Sequence, residues 1–202
     1  MSEIKVKELT NVSFSYNDLL NYYTSLETNY QHLKWTTKFL SNDQRTLFKE
    51  SQFVKHMEDI FTWAIQNRSK TTEPTPGYVF TGNEYSPVSE PSDELIFGFA
   101  KLLVDHFDGI FRLMVGSHPP NGQLCLHNDD YYTVHFPIKS NDKSYFVVDG
   151  ETFVLKPGKA YLVNTLLPHY TDNQGTTNRV HLLFNIPLDS VDTVLNSQII
   201  LQ

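Results

Sequence analysis

The feature that most constrains this chain is its punctuation between residues 111 and 186, where short runs of apolar and polar residues are each closed by a turn signal. Asp149-Gly150 is a hairpin signature, because both central positions of a tight type I′ turn need positive φ. Pro157-Gly158, Ser140-Asn141-Asp142 and Pro119-Pro120-Asn121-Gly122 turn the chain at three further points. The runs between them are too short for helices: 111–116, the run carrying Cys125 and His127, 131–138, 145–148, 152–155, 160–163 and 179–186. Many short strands with frequent turns fold as an all-β barrel or jelly roll.

Two of these runs alternate strictly. In 179–186, Val180, Leu182, Phe184 and Ile186 share one face, and Arg179, His181 and Asn185 share the other. In 131–138, Tyr132, Val134, Phe136 and Ile138 oppose Tyr131, Thr133 and His135. If the polar faces line a barrel interior, then His135, Arg179 and His181 converge there.

Four residues in this region carry chemistry: His127 and Asp129 as a His-x-Asp pair, His169 further on, and Arg179 at the start of another strand. Two imidazoles and one carboxylate on one face of a metal leave open positions for a co-substrate and oxygen, an arrangement suited to non-haem Fe(II) oxygenases. On an extended strand, side chains two residues apart point the same way, so His127 and Asp129 can share a metal. Arginine presents a planar fork that matches a carboxylate and stays charged when desolvated, so Arg179 suits the far carboxylate of 2-oxoglutarate. Blander readings stand beside these. His127 and Asp129 could be a turn pair, flanked as they are by Asn128 and Asp130. Asp130 is an alternative ligand, but alternation turns it away. His169 after Pro168 could be a loop histidine. Cys125 shares a face with His127, yet one thiolate without a partner cysteine fits structural zinc poorly, and a small buried strand residue is the better reading. His106 reads as a helix-end residue, and His32, His56 and His118 carry no signal.

The segments LHNDD at 126–130, TVHFPI at 133–138, DGETFVLKPGKAYLVN at 149–164, LPHYTDN at 167–173 and NRVHLLF at 178–184 resemble the aspartyl/asparaginyl β-hydroxylase family. That family is a branch of the Fe(II)/2-oxoglutarate-dependent oxygenases that includes proline hydroxylases. The resemblance implies a mainly β fold with flanking helices, a double-stranded β-helix of the jelly-roll, cupin-like kind with iron at its open end. It implies His127, Asp129 and His169 as iron ligands and Arg179 as the co-substrate anchor. His135 and His181 read from their strands as hydrogen-bonded interior residues or as groups that support the metal or bind the co-substrate. The resemblance implies Fe(II), 2-oxoglutarate and O2 as cofactor and co-substrates, with a hydroxyl delivered to an amino acid or to a peptide side chain of Asp/Asn or Pro type. The chain departs from the pattern at Thr133, where many relatives carry an arginine that assists the co-substrate. Two other readings remain open: a cupin-like metal enzyme that does not use 2-oxoglutarate, and a non-catalytic metal- or ligand-binding barrel.

The 202 residues are expected to form a single domain, with helical and loop support over 1–109, the β core over 110–187 and a C-terminal helix within 188–202. A first strand is expected within 1–14, then a helix over 17–27, with Ser15 and Asp18 as a loose capping pair. Residues 30–40 read as extended. Leu47, Phe48, Val54, Met57, Phe61, Ala64 and Ile65 recur at helical spacing and predict a helix over 43–67. The Pro-rich stretch 69–92 reads as a long loop, either flanking the pocket or a mobile surface segment. Ser92 with Asp93 and Glu94 predicts a capped helix over 93–107. A net charge of −7 argues against a partner bound through phosphates, so no nucleic acid is expected and the substrate is a small molecule or peptide. A single cysteine suits a reducing compartment, and with no spanning apolar run or signal peptide the expected location is cytoplasmic.

Overall fold

The computed structural model describes residues 4–36, 54–55, 61–66 and 92–202. Two antiparallel sheets dominate it. The strands from residue 111 onward are β6 (Phe111–His118), β7 (Gln123–His127), β8 (Tyr132–Lys139), β9 (Ser144–Val148), β10 (Glu151–Phe153), β11 (Tyr161–Val163), β12 (His169–Asn173) and β13 (Arg179–Ile186). Before them come β1 (Val6–Glu8), β2 (Val12–Phe14), β3 (Trp35–Thr36), β4 (Val54–Lys55) and β5 (Phe61–Gln66). The seven-stranded sheet runs β1-β11-β8-β13-β6-β5-β3, and the five-stranded sheet runs β10-β9-β12-β7-β4. From β6 onward the chain changes sheet at every step except the β9–β10 hairpin. This winding is a double-stranded β-helix, the jelly-roll fold expected from the sequence. Asp149 and Gly150 take φ of 47° and 75° between β9 and β10, as the hairpin signal requires.

One face of the large sheet is covered by helices α1 (Tyr16–Asn29) and α2 (Gly98–His106). Val134, Phe136, Ile138, Val180, Leu182, Phe184 and Ile186 form one buried cluster with Leu19, Leu26, Phe99 and Leu103 of the helices. Phe14, Phe99 and Phe136 meet edge to face, with centroids 5.1–5.6 Å apart. Each fully buried apolar side chain of this kind contributes about 1.5–3 kcal/mol. Ser15 caps α1 by accepting a hydrogen bond from the Asp18 N–H at 3.2 Å.

Several sequence expectations are corrected. Within the expected helix 43–67, the described residues are strands: β4 pairs with β7, and β5 pairs with β6. The run FTWAIQ satisfies both periods, since Phe61, Ala64 and Ile65 fit a helix while Phe61, Trp63 and Ile65 alternate. Pairing with β6 settles it as strand. Residues 1–109 therefore add strands to both sheets as well as helices. The 93–107 helix is broken: a 3₁₀ turn over Asp93–Leu95 precedes α2, and Gly98 at φ 49° marks the break. Ser92 makes no side-chain cap. Residues 31–33 form a 3₁₀ turn rather than extended chain. The C-terminal segment holds a short helix α3 (Val191–Asn196) and then β14 (Ile199–Leu201), which pairs in parallel with β2. The loop reading of 69–92 falls, apart from Ser92, outside the described residues.

Candidate metal centre and co-substrate pocket

The inner face of the barrel is polar. Thr133, His135, His169, Thr171, Arg179, His181 and Asn185 are all buried, although none is apolar. The alternation in 131–138 and 179–186 thus points its apolar face to the helices and its polar face to the space between the sheets.

His127 ends β7 and His169 begins β12, and the two are direct partners across that antiparallel pair. Their ring centroids lie 4.2 Å apart. Asp129 lies beyond β7, and its N–H donates to the Thr165 carbonyl at 2.8 Å. Asn128 Nδ2 donates to the Leu166 carbonyl at 2.9 Å, so two bonds pin the loop carrying Asp129 to the loop that leads into His169. One ligand atom from each of His127, Asp129 and His169 lies within 4.8 Å of the others. His169 Nε2 is 3.7 Å from Asp129 Oδ2, between the about 3 Å of two ligands at a right angle on one ion and the about 4.2 Å of two opposite ones. Among the described residues this is the metal-type cluster; Cys125 and the exposed Asp130 are not part of it.

The backbone fixes the tautomers. His127 Nδ1 lies 2.7 Å from the Cys125 carbonyl, and His169 Nδ1 lies 3.0 Å from the Leu167 carbonyl. A carbonyl only accepts, so both Nδ1 atoms carry the proton and both Nε2 atoms keep a lone pair. Burial, and then the neighbouring His127, hold the His169 imidazole below its ordinary pKa, which favours the neutral, ligating form.

Contacts run inward from this triad. The Phe146 ring stacks on His169 at 5.8 Å and meets His135 edge-on at 5.3 Å. His135 and His181 sit 5.4 Å apart, with their Nδ1 atoms 3.3 Å apart. Arg179 contacts both ring nitrogens of His181, at 3.0 and 3.2 Å, and its guanidinium lies 5.8 Å from the Phe146 centroid. Burial and the Arg179 charge hold His135 and His181 well below the ordinary histidine pKa, so both rings are neutral beside a fixed cation. His135 Nε2 is buried with no hydrogen-bond partner among the described residues. Such an orphan costs about 1–3 kcal/mol, and a bound carboxylate would relieve it. The buried Arg179 guanidinium near the unpartnered His135 Nε2 therefore fits an anion, and the triad fits a divalent ion of the iron type.

Residues 100–187 match the family model of the aspartyl/asparaginyl β-hydroxylases. The matched residues span β6 to β13 and contain the triad, His135, His181 and Arg179. No curated protein matches the chain. Among solved structures it is similar to a predicted oxalate decarboxylase from Thermotoga maritima, at 19% identity, covering 39% of this chain and 68% of that one, with a TM-score of 0.34. A cupin domain from Bordetella pertussis matches at 19% identity over 39% of this chain and 81% of its own, with a TM-score of 0.34. A salicylate 1,2-dioxygenase from Pseudoaminobacter salicylatoxidans matches at 18% identity over 38% of this chain and 21% of its own, with a TM-score of 0.33.

The barrel interior also holds residues on which the sequence pattern is silent. His118 lies opposite Arg179 in the β13–β6 register, and its Nδ1 is 3.1 Å from Thr171 Oγ1. His118 shares one face of β6 with Gly116 and Met114. Thr133, the departure from the family pattern, bonds Thr165 Oγ1 and Asn185 Oδ1, each at 3.3 Å. Phe146, on the strand expected over 145–148, packs between the triad and Arg179. No helix among the described residues is long and apolar enough to cross a membrane.

Proposed function

We propose that this protein is an Fe(II)- and 2-oxoglutarate-dependent oxygenase that hydroxylates an amino acid or a peptide side chain of Asp/Asn or Pro type. One observation carries the reading: the His127, Asp129 and His169 ligand atoms and the buried Arg179 guanidinium occupy one polar interior, joined through Phe146, His135 and His181. Iron held by the triad would supply the position at which oxygen is activated against 2-oxoglutarate. The chain's own residues do the rest. The Cys125 and Leu167 carbonyls hold the two imidazoles with Nε2 outward. The Arg179 fork takes the far carboxylate of the co-substrate, and His135 Nε2 donates to the same anion. Phe146 walls the space between the two ends and excludes water from it. With Thr133 in place of the family's arginine, Arg179 carries most of the co-substrate's charge. The lone Cys125 supports a reducing compartment, and the cytoplasm is the proposed location.

The test is succinate formation across free amino acids and Asp-, Asn- and Pro-containing peptides, with a His127→Ala control. Iron-dependent succinate from the wild type and none from the control is the expected result. Metal-dependent turnover that Arg179→Ala leaves unchanged would instead favour an enzyme that does not use 2-oxoglutarate.

A further inference from the structure

β6 is irregular where it begins. Leu183 pairs with Met114, but Asn185 pairs with Phe111, so β6 spends one residue more than β13 across this interval. The pairing with β5 shifts next to it, there with the extra residue on β5: Ala64 pairs with Met114 and Gln66 with Leu113. The bulge is at Arg112, whose φ is +50°. That is the left-handed region, where glycine is the usual occupant and a bulky side chain is strained. A bulge re-aims a side chain, and this one carries the guanidinium over the Tyr131 ring, 5.1 Å from its centroid, with Nη1 donating to the Tyr131 hydroxyl. Phe111 closes on the same ring edge to face at 5.4 Å. Arg112 Nε is buried and has no hydrogen-bond partner among the described residues, and no carboxylate there forms an ion pair with this arginine.

The position matters as much as the strain. The β13 register pairs Asn185 with Phe111 and Ile186 with Tyr132, whereas Arg179 pairs with His118 at the opposite end of the sheet. The Tyr131 carbonyl accepts from Thr165 Oγ1, and the Thr165 carbonyl accepts from the Asp129 N–H. Arg112 is therefore at the Asp129 end of the barrel, away from the pocket of Arg179. A cationic fork in a strained backbone, with one buried N–H unused, is a site built to receive an anion.

We propose that Arg112, with the Tyr131 hydroxyl, binds a carboxylate of the substrate at the metal-side mouth of the barrel. This rests on the oxygenase reading above and narrows it to substrates that carry an acid group. That group is the α-carboxylate of a free amino acid or the side-chain carboxylate of an Asp residue. Neutral amide substrates are disfavoured.

Ligand-observed NMR on protein loaded with Zn(II) and 2-oxoglutarate tests this. The probes are L-proline, L-aspartate and L-asparagine against L-prolinamide and N-acetyl-L-aspartic acid α-amide. Binding of the free amino acids but not of the acetylated amide assigns the α-carboxylate. Binding of both, without prolinamide, assigns any carboxylate. In either case Arg112→Gln weakens acid binding at least tenfold, Tyr131→Phe weakens it less, and 2-oxoglutarate binding is unchanged. Arg112→Gly is the variant that protects the fold: its Tm holds or rises as the strain is released, while acid binding is lost. Wild-type protein that binds prolinamide as well as proline, or binds no acid, overturns the proposal, as does Arg112→Gly with wild-type affinity. Wild-type protein that binds no 2-oxoglutarate overturns the oxygenase reading itself, a separate outcome.

Discussion

The two faces of the large sheet are both buried and chemically opposite. Outward, toward α1 and α2, Val134, Phe136, Ile138, Val180, Leu182, Phe184 and Ile186 close an apolar layer. Inward, from the same two strands, come Thr133, His135, Arg179, His181 and Asn185. An apolar layer gains free energy from burial alone. A polar interior has to be organised by hydrogen bonds, and it remains incomplete at His135 Nε2. The contrast implies a division of labour, in which the outer layer holds the fold and the inner face is free to serve chemistry. Neutral imidazoles beside a guanidinium make little sense as packing and good sense as a receptor for an anion.

The largest effect that would break this division is Phe136→Ala. Phe136 is fully buried and touches Phe14, Phe99 and Phe184. Its truncation is expected to cost about 3–5 kcal/mol, lowering Tm by about 6–20 °C for a chain of this size. The protein that remains folded should still bind metal. A variant with unchanged Tm and no metal binding would reverse the roles of the two faces.

Arg179→Met sharpens the comparison from the inside. Removing a buried guanidinium also removes its desolvation cost, so metal-free stability should hold or rise. Affinity for 2-oxoglutarate should fall about 100-fold, the scale of a lost charge-assisted pair. Calorimetry and titration measure the two quantities separately. A Tm loss as large as that of Phe136→Ala would make Arg179 structural.

A smaller effect is the pH dependence of the interior histidines. His118, His135 and His181 are all held well below the ordinary histidine value, by burial first and the Arg179 charge second. Unfolded chains then take up protons that the folded chain refuses. The stabilisation is fully present above the unfolded pKa of about 6.5 and is lost progressively as pH falls below it. Denaturant unfolding of metal-free protein should give a lower midpoint at pH 5.5 than at pH 7.5, and His181→Gln should flatten the slope. A midpoint that rises on acidification would contradict neutral interior rings. Smallest of all, Asn128→Ala removes one of the bonds clamping the Asp129 loop and should cost about 1 kcal/mol, with metal affinity lowered a few-fold by titration.

What was legible in the sequence was period and turn chemistry. The β13 alternation showed which side chains share a face, and Asp149-Gly150 placed the hairpin. His127, Asp129 and His169, singled out by their order in the sequence, offer ligand atoms within 4.8 Å of one another. What stayed hidden was decided by pairing. FTWAIQ is a strand because β6 lies beside it, and β14 exists because β2 offers an edge. The α2 break depends on Gly98 reaching positive φ, which its neighbours in sequence do not announce. The Arg112 bulge is invisible for the same reason, since it arises from the count of residues on two strands rather than from either strand alone. His118 carries no signal in the sequence, and the β13 register is what sets it opposite Arg179.

If the His127, Asp129 and His169 side chains hold iron with Arg179 deeper in the same polar interior, iron and 2-oxoglutarate must bind together. Anaerobic titration of Fe(II) with 2-oxoglutarate, followed by visible charge-transfer absorption, tests it most directly. The expected result is a weak band saturating at a single equivalent of iron in the wild type, no band in His127→Ala or His169→Ala, and far more 2-oxoglutarate needed in Arg179→Met. A wild-type protein without the band, or a His127→Ala variant that keeps it, would rule out iron on this triad beside 2-oxoglutarate.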